Sequence, residues 1–456
     1  MAAKLPPIPV FPVSTACWQE VSAKLGPAAR AYAAAQGFAG KSGRVLALPG
    51  SSGTIEAVVL GTGDDERLAR NPFLAGKLAT ELPTGHYRLE GPLADADLCY
   101  LACLNGAYRF SKYKESETPV VTFEPPAGCE AGRVERVSEA LATGRDLINT
   151  PANEMTTEAL AGAARALAAR HGARLEEIVG EALIEENFPM IHAVGRASAS
   201  PPRLVSIRWG NPSAPRVALV GKGVVFDTGG LNLKPDNSML LMKKDMGGAA
   251  AAITAADLLM GANARICLHL VLPIVENAVA GNAFRPGDIY RSRKGLTVEI
   301  GNTDAEGRLI LADALAFADD DEPDMMIDFA TLTGAARVAL GPDLPPFYTD
   351  DETLADAIAR TGDAVHDPVW RLPLWKPYRS MFESKVADLN NAGTGGFAGS
   401  ITAALFLQRF VTKAKTWAHF DIYGWTPVAK PGRPEGGEPQ AARLVASMIE
   451  ARFGGV

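Results

Sequence analysis

The sequence NTDAEGRLIL (302–311) joins a strand-like run, LTVEI (296–300), to a helix-like run, RLILADALAFA (308–318). Two carboxylates, Asp304 and Glu306, stand two positions apart at this junction. On a strand or in a tight turn this spacing brings both acids to one side, whereas on a helix it points them apart. We therefore predict a turn that directs both carboxylates towards one point.

The same junction contains Gly307 and Arg308. Glycine permits a turn and a close approach of the backbone to its surroundings. Two acids followed by a cation between a strand and a helix indicate a metal or anion site. The alternative is a solvated turn whose aspartate caps the helix, and this stretch alone leaves both interpretations open.

A second stretch, RVALVGKGVVFDTGGLNLKPDNSMLLMKKD (216–245), supplies further acids and cations. Its RVALV segment has the pattern of a buried strand, and glycine turns follow. Lys222, Asp227, Lys234 and Asp245 lie in or beside these strand ends and turns. Oxygen-rich ligand sets suit divalent cations, and a carboxylate can bridge two of them. The two stretches together indicate one convergent polar site.

The motifs GKGVVFDTGG, KKDMGGAA, NTDAEGRLILADAL and ATLTGA occur in this order and resemble the leucyl aminopeptidase (cytosol aminopeptidase) family. The resemblance covers about residues 140 to 456, and the N-terminal third carries no comparable motif. It implies a metal-dependent aminopeptidase that releases N-terminal residues, leucine-type by preference, from peptides with a free N-terminus. It also implies a homohexamer.

The resemblance implies two divalent metal ions per subunit, and manganese, zinc and magnesium are all compatible with oxygen ligands. The ligands that it implies are Lys222, Asp227, Asp245, Asp304 and Glu306. Asp227 and Glu306 would bridge the two ions. An ammonium has no lone pair, so Lys222 must lose its proton, and burial beside two dications would lower its pKa. Without the resemblance, Lys222 is equally well a charge partner for the acids.

Catalytic roles follow from the same resemblance. The ammonium of Lys234 would stabilise the negative charge that develops on the scissile carbonyl oxygen. Arg308 would hold a bicarbonate ion that relays a proton, and a guanidinium fork suits that planar anion. The alternative for Arg308 is an ion pair with Asp304 or Asp313.

The substrate pocket is assigned by family position alone. The substrate-binding candidates are Met242, Asn302, Thr331, Leu332 and Gly334. Methionine and small residues make an adaptable apolar slot, although each of these residues could equally belong to the core. The segment HFDIYGWTP places Tyr423 and Trp425 where the family usually has smaller residues. Our hypothesis is that these aromatics narrow or reshape the pocket.

Strands and helices alternate from about residue 175, which predicts a mixed, largely parallel sheet sandwiched by helices. We predict a smaller N-terminal α/β domain (1–130), a connecting helix (131–150) and a larger catalytic domain (151–456). The predicted helices of the catalytic domain span residues 158–170, 246–260, 308–318, 352–361, 398–411 and 439–452. The predicted strands of the N-terminal domain span residues 43–50, 54–63 and 119–126.

Length and composition agree with a large soluble enzyme, which we expect in the cytoplasm. The chain has 456 residues, of which 47% are hydrophobic, and a formal charge of −7, which weakly opposes nucleic acid as a partner. Five cysteines without paired motifs indicate free thiols in a reducing cytosol. No apolar run reaches the length of a membrane span. Several early prolines make a poor signal-peptide core.

Other enzyme classes find little support. GKG lacks the spacing of a phosphate-binding loop, and neither an HExxH nor a GxSxG motif occurs. Two alternatives stay open beside the aminopeptidase. One is a family member with a mainly non-catalytic role, in nucleic-acid binding or as a scaffold. The other is a different metallohydrolase, such as an amidase or a narrow dipeptidase.

Overall fold

A computed structural model describes residues 6–50, 53–64, 71–115 and 117–454. The chain divides into two units. The first unit contains residues 1–142 and 426–435, and the second contains residues 143–425 and 436–456.

The first unit is built on a five-stranded sheet in the order β2–β3–β1–β4–β5, in which every neighbouring pair except β2–β3 is parallel. Its strands are β1 (Ile8–Ser14), β2 (Val45–Pro49), β3 (Ile55–Gly63), β4 (Gly85–Leu89) and β5 (Val121–Glu124). Its helices are α1 (Trp18–Lys24), α2 (Pro27–Ala35), a 3-10 helix (Pro72–Lys77), α3 (Leu78–Glu81) and α4 (Ala96–Ala107). Cys99 and Cys103 on α4 are free and pack in the hydrophobic core of this unit. The predicted small α/β domain is therefore confirmed.

Helix α5 (Ala131–Asn149) continues from the first unit into the second. The sheet of the second unit has the order β15–β14–β17–β13–β8–β10–β7–β6, and β9 pairs with the far end of β10. Its strands are β6 (Arg174–Val179), β7 (Arg203–Gly210), β8 (Arg216–Gly221), β9 (Gly223–Asp227), β10 (Cys267–Asn277), β13 (Met325–Ala330), β14 (Pro346–Tyr348), β15 (Trp370–Arg371) and β17 (Trp417–Asp421). The central pairs are parallel, whereas β6–β7, β7–β10 and β14–β17 are antiparallel.

Helices cover both faces of this sheet, as the strand–helix alternation predicts. The helices are α6 (Thr157–His171), α7 (Ala182–Glu185), α8 (Pro189–Gly195), α9 (Asp236–Met239), α10 (Gly247–Gly261), α11 (Gly307–Asp319), α12 (Gly334–Leu340), α13 (Glu352–Ala364), α14 (Gly399–Gln408) and α15 (Ala442–Phe453). One hydrophobic core joins the sheet to α6, α10, α13 and α15, and a second joins it to α8, α11 and α14. Two further 3-10 helices are present (Met242–Met246 and Lys376–Phe382).

Small residues bring α10 against the sheet. A Cβ on Gly221 of β8 would lie 2.7 Å from the Cα of Ala249, and one on Gly248 would lie 2.2 Å from the carbonyl oxygen of Phe329. The glycines and alanines of α10 therefore allow the two backbones to approach closely. This packing fixes the start of α10 beside the end of β8.

Three features differ from the sequence-based expectations. The predicted strand RVALV forms β8, but a further strand, β9, follows it after a break at Lys222. The LTVEI run forms β12 (Thr297–Glu299), which belongs to a separate small sheet with β11 (Ile289–Arg291) and β16 (Leu389–Asn390). The ATLTGA turn opens an additional helix, α12.

Two short strands, β18 (Trp425–Thr426) and β19 (Gly436–Gly437), lie at the two ends of the segment 426–435.

Within the described part of the chain, no helix combines the length and the apolar character that crossing a bilayer requires.

Candidate metal and catalytic site

Lys222 is placed at the centre of the site by the break between β8 and β9. Its backbone N–H donates to the carbonyl oxygen of Phe329 at the end of β13, over 3.0 Å. Its Nζ lies 2.7 Å from Asp245 Oδ2, 3.0 Å from Glu306 Oε1 and 3.0 Å from the carbonyl oxygen of Thr331. All three acceptors are therefore gathered around one buried ammonium.

Asp227 is the last residue of β9, and its carboxylate is held by neighbouring donors. Its Oδ1 accepts hydrogen bonds from the backbone N–H of Gly229 and from Asn277 Nδ2, both over 2.8 Å. Its Oδ2 lies 2.8 Å from Lys234 Nζ, which also pairs with Asp304 Oδ1. Lys234 thus links the carboxylate at the end of β9 to the first acid of the NTDAEGR turn.

The NTDAEGR segment forms the predicted turn, and α11 begins directly after Glu306. The backbone N–H of Asp304 donates to Asn302 Oδ1 over 2.8 Å. Asn391, just beyond β16, accepts a hydrogen bond from the N–H of Gly301 and donates to the carbonyl oxygen of Asn302, over 2.8 and 2.7 Å. These contacts hold the turn so that Asp304 and Glu306 face the ends of β8 and β9.

Asp227, Asp245 and Glu306 form a cluster that could hold a metal ion. One carboxylate oxygen from each residue lies within 4.8 Å of the others, and all three residues are buried. The Oε2 atom of Glu306 has no hydrogen-bond partner among the described residues. Asp304 brings the number of carboxylates at the site to four. Within the described ranges, their ion-pair partners are only the ammonium groups of Lys222 and Lys234. The donor set is made of oxygen atoms, carries excess negative charge and fits divalent cations.

Burial and mutual repulsion shift the pKa values of the acids upward. Burial, reinforced by the nearby Asp227 carboxylate, raises the pKa of Glu306 to about 8 and that of Asp304 to about 6. Burial also raises the pKa of Asp245 above its usual value, although Lys222 opposes this. Because these acids ionise less readily than usual, a bound dication would stabilise their charged form and lower their pKa values.

The pKa values of the two lysines also shift upward, but for a different reason, which is the charge of the neighbouring acids. Burial acts to lower the pKa of Lys222, but the carboxylates of Asp245, Glu306 and Asp227 outweigh it and raise the pKa well above the ordinary value. Lys234 shows the same balance, because Asp227 and Glu306 overcome the effect of burial on its pKa. Both lysines are therefore charge partners of the acids in the structure.

Arg308 lies on the first turn of α11, beside these acids. Its Nη1 donates to the carbonyl oxygen of Asn391 over 2.7 Å, and its buried Nε has no acceptor among the described residues. Burial lowers the pKa of Arg308 to about 10, so the guanidinium still carries its charge at neutral pH. It forms no ion pair with Asp304 or Asp313 in the structure, and it presents an unused donor.

The pocket candidates lie on chain segments that adjoin the acids of the site. Met242 begins the 3-10 helix that leads to Asp245, and Thr331 Oγ1 lies 2.9 Å from both the carbonyl oxygen and Oδ1 of Asp245. Leu332 is partly buried against the hydrophobic core, and Gly334 starts α12. Thr331 therefore also orients an acid of the cluster.

The aromatic residues after β17 lie beside basic side chains. The Nζ of Lys244 lies 4.5 Å from the ring centroid of Tyr423, and that of Lys243 lies 5.4 Å from the ring of Trp425. Burial lowers the pKa of Lys244 to about 8.

Sequence reasoning missed several residues that build the site. Asn277 donates to both Asp227 and the carbonyl oxygen of Thr303, and it is fully buried. Asn391 organises the acidic turn, and Asp421 accepts the backbone N–H groups of residues 332 and 333. An amide or acid at the end of a strand, or directly after it, is the only signal that the sequence offers. Their partners lie tens of residues away, so that signal does not identify a role.

A second constellation resembles a serine-hydrolase triad but is structural. Ser206 Oγ lies 2.9 Å from His269 Nε2, and His269 Nδ1 lies 2.7 Å from Asp321 Oδ2. Ser206 and His269 are only 5% and 4% exposed and face each other from paired strands, β7 and β10. A nucleophile must reach its substrate, so these residues link strands and do not form an active site.

Comparisons with known proteins agree with this geometry. Residues 142–446 match the catalytic domain of the cytosol aminopeptidase family, and residues 8–124 match the N-terminal domain of M17 aminopeptidases. The probable cytosol aminopeptidase of Geobacter sp. strain M21 is 35% identical over 463 residues, covering 95% of this chain and 94% of that protein.

Solved structures extend the comparison to the fold. The cytosol aminopeptidase from Coxiella burnetii superposes with a TM-score of 0.94 at 41% identity, covering 99% of this chain and 98% of that one. The bottromycin maturation enzyme BotP in complex with Mn gives a TM-score of 0.89 at 32% identity, covering 98% and 99%.

The fold and the site thus define a metal-dependent aminopeptidase, a hydrolase that acts on peptides. The chain belongs to the cytosol aminopeptidase family, as its motifs predict. The family match also includes the N-terminal unit, where the sequence carries no motif that we could recognise.

Proposed function

We propose that this aminopeptidase releases leucine-type residues from the free N-terminus of peptides at a centre that binds two divalent metal ions. The observation that carries the proposal is the buried cluster of Asp227, Asp245 and Glu306, whose carboxylate oxygens lie within 4.8 Å of one another. Asp304 is linked to this cluster by Lys234, whose ammonium pairs with both Asp227 and Asp304.

The residues present suit two ions with shared ligands. Lys222, Asp227, Asp245 and Glu306 would hold one ion, and Asp227, Asp304 and Glu306 the other. The side chain and the main-chain carbonyl of Asp304 both contribute in this assignment. Divalent cations bound there would supply Lewis acidity and lower the pKa of water towards neutrality. Manganese is supported by the complex of BotP with Mn, and zinc and magnesium are compatible with the same donors.

Lys222 must change its role when it serves as a ligand. In the structure its ammonium donates to Asp245, Glu306 and the carbonyl oxygen of Thr331. Donation of its lone pair requires the loss of one proton, which neighbouring dications favour by electrostatic repulsion. Gly307 leaves room for the methylene chain of Lys222, since a Cβ on Gly307 would lie 2.5 Å from Lys222 Cε. The buried side chain therefore keeps its nitrogen beside the acids when the proton is lost.

Lys234 stabilises the transition state in this account. As water adds to the scissile carbonyl, the carbonyl oxygen gains negative charge. A fixed ammonium stabilises this charged oxygen more than it stabilises the neutral carbonyl. Lys234 lies on the loop after β9, and its side chain is 13% exposed to solvent. It is therefore the cation of the cluster that a bound peptide can reach.

Arg308 would hold a bicarbonate ion, whose chemistry is to relay a proton between water and the leaving amine. The support is its buried Nε, a donor without an acceptor in the described part of the chain. The guanidinium itself cannot act as a base at neutral pH.

The first side chain of the substrate would lie against Met242, Asn302, Thr331, Leu332 and Gly334. The preference for leucine rests on the apolar and small members of this set. Tyr423 and Trp425 would narrow or reshape the slot. If alanine at both positions leaves the ranking of N-terminal residues unchanged, that part of the proposal is wrong.

A homohexamer in the cytoplasm completes the proposal. Light scattering should then give a mass six times that of the 48.0 kDa chain. A monomeric mass at working concentration would contradict it.

The test of the proposed activity is the hydrolysis of leucine p-nitroanilide. Purified enzyme is stripped with a chelator and restored with manganese, zinc or magnesium, and Glu306→Gln is measured beside Glu185→Gln, an exposed control on α7. We expect activity that requires a divalent metal, survives in the control and falls by at least about 1,000-fold in Glu306→Gln. N-acetyl-leucine p-nitroanilide should not be cleaved, because its amino group is blocked.

Undiminished activity after chelation or in Glu306→Gln would contradict the metal centre. Equal cleavage of the acetylated substrate would instead identify an amidase of broader type.

A further inference from the structure

Lys244 is a buried cation that forms no close ion pair in the described part of the chain, although the charges of Asp245 and Asp421 act on it from further away. It lies in the 3-10 helix that leads to Asp245, and it is 6% exposed. Its Nζ contacts the ring face of Tyr423, and no oxygen atom among the described residues accepts a hydrogen bond from it or pairs with it. By contrast, Lys222, Lys234 and Lys243 all have oxygen partners. A ring face offsets only part of the cost of removing an ammonium from water.

A second cation shares the same ring. The guanidinium carbon of Arg337, on α12, lies 5.3 Å from the ring centroid of Tyr423, and its Nη1 donates to the tyrosine hydroxyl over 3.4 Å. Arg337 is exposed, and within the described ranges it forms no ion pair. Two like charges around one aromatic ring repel each other unless an anion lies between or beside them.

Asp421, at the end of β17, acts on Lys244 only from a distance, because its oxygens accept hydrogen bonds from other groups. Its Oδ1 accepts the backbone N–H groups of Leu332 and Thr333, both over 3.0 Å. Its Oδ2 accepts the hydroxyls of Thr333 and Ser400, both over 2.7 Å. Both oxygens are therefore used to hold the turn before α12.

These residues adjoin the proposed metal centre. Arg337, Tyr423, Thr333 and Asp421 line one cavity. Lys244 immediately precedes Asp245, whose carboxylate is held by Thr331, two residues before Thr333. A peptide bound at the centre would thus lie beside Lys244, and Arg337 contacts the same tyrosine ring as Lys244 does.

We propose that Lys244 and Arg337, assembled around Tyr423, form a subsite that binds a carboxylate of the peptide substrate. The inference rests on the proposed aminopeptidase activity and adds a substrate class to it. A carboxylate there would accept hydrogen bonds from both cations and replace the water that Lys244 has largely lost on burial. The carboxylate belongs either to the side chain of an acidic first residue or to the C-terminus of a short peptide.

The experiment compares substrates that differ only in that charge. Leu-Leu is measured against Leu-Leu-amide, and glutamate p-nitroanilide against glutamine p-nitroanilide, as kcat/KM ratios. The variants are Lys244→Met and Arg337→Met, with Lys243→Met as the matched control, since Lys243 contacts Trp425 and the carbonyl oxygen of Asn149 instead.

We expect the wild type to prefer the charged member of one pair by about tenfold, and the pair concerned identifies the source of the carboxylate. Each of the two variants should reduce that ratio towards one, and Lys243→Met should keep it. Because each ratio is taken within one variant, a general loss of activity does not imitate the effect. If Lys244→Met does not fold, Arg337→Met still tests the subsite, because Arg337 is exposed and its substitution does not disturb a buried position.

Hydrolysis of all four substrates without a preference for charge would overturn the subsite and leave the proposed function standing. A preference that persists in both variants would also overturn it. Absence of hydrolysis in the metal-loaded wild type would contradict the proposed function itself, together with the subsite that rests on it.

Discussion

At the scale of single residues, the site depends on the balance between buried acids and buried ammonium groups. Lys222 is 2% exposed and lies within 3.0 Å of both Asp245 and Glu306. Removing one partner from such a group leaves uncompensated charge in a low-dielectric environment. The same lysine therefore affects the stability of the metal-stripped protein as well as metal binding.

The substitution Lys222→Met should lower the free energy of unfolding of the chelated enzyme by about 3–5 kcal/mol, because Asp245 and Glu306 lose their cation. Chemical denaturation in the presence of chelator measures the change. The control is Lys24→Met, which removes an ion pair to Glu20 whose members are 72% and 75% exposed. The control should leave the unfolding midpoint unchanged, and an equally small effect of Lys222→Met would contradict the account.

At the scale of elements, the close approach of α10 to β8 and β13 positions Lys222 and Asp245. A Cβ on Gly248 would lie 2.2 Å from the carbonyl oxygen of Phe329 and 2.9 Å from the backbone nitrogen of Lys222. Both neighbours are backbone atoms, which cannot rotate away. The helix would have to move, and the site with it.

Gly248→Ala should therefore destabilise the enzyme by about 1–3 kcal/mol and reduce its activity, since overpacking displaces the backbone next to Lys222. Gly162→Ala in α6 is the matched control: its added Cβ would meet only Arg165 Nη2, at 3.6 Å. That change should stabilise the protein by about 0.5–1 kcal/mol, because alanine favours the helix. Thermal unfolding of both variants checks the pair, and equal effects would exclude the proposed packing.

The central strands β13 and β17 are joined by a buried charged pair. His419 Nδ1 lies 2.6 Å from Asp328 Oδ1, and both side chains are fully buried. Burial acts to lower the pKa of His419, but the carboxylate of Asp328 outweighs it and raises the pKa above the ordinary value. For a histidine with a raised folded-state pKa, the stabilisation is complete below the unfolded pKa and disappears as pH rises through the folded pKa.

His419→Gln should consequently lose more free energy of unfolding at pH 6 than at pH 9, relative to the wild type. Denaturation curves across this range measure the difference. The same comparison in an Asp328→Asn background removes the partner charge and should abolish the pH dependence. A loss that grows with pH would contradict the assigned sign.

At the scale of the whole molecule, the sequence predicts the architecture of the second unit well because local and global patterns agree. The runs that form β8, α10 and α11 are apolar or amphipathic with clear boundaries, and the turns between them contain glycine. The acids of the site lie at the ends of these elements or in the segments between them, so the sequence already indicates that they converge. The two-layer arrangement of helices around a largely parallel sheet follows from the same alternation.

The rest depends on contacts between distant segments. Asn391 holds the acidic turn from 89 positions away in the chain, and Asp421 orients the start of α12 from a similar distance. No local pattern distinguishes these residues from ordinary buried polar groups. Strand β1 is also unexpected, since it contains Pro9 and Pro12 yet lies between β3 and β4. Proline normally argues against a central strand, so the sequence does not predict one there.

We propose that four acids and Lys222 form one centre for two divalent ions. The most direct measurement is the number of metal ions bound per chain, by elemental analysis after the stripped enzyme is dialysed against manganese or zinc. We predict two ions for the wild type, no more than one for Asp304→Asn, and little or none for Glu306→Gln, which contributes to both positions. One ion or none in an active wild type, or an unchanged count in Glu306→Gln, would contradict the claim.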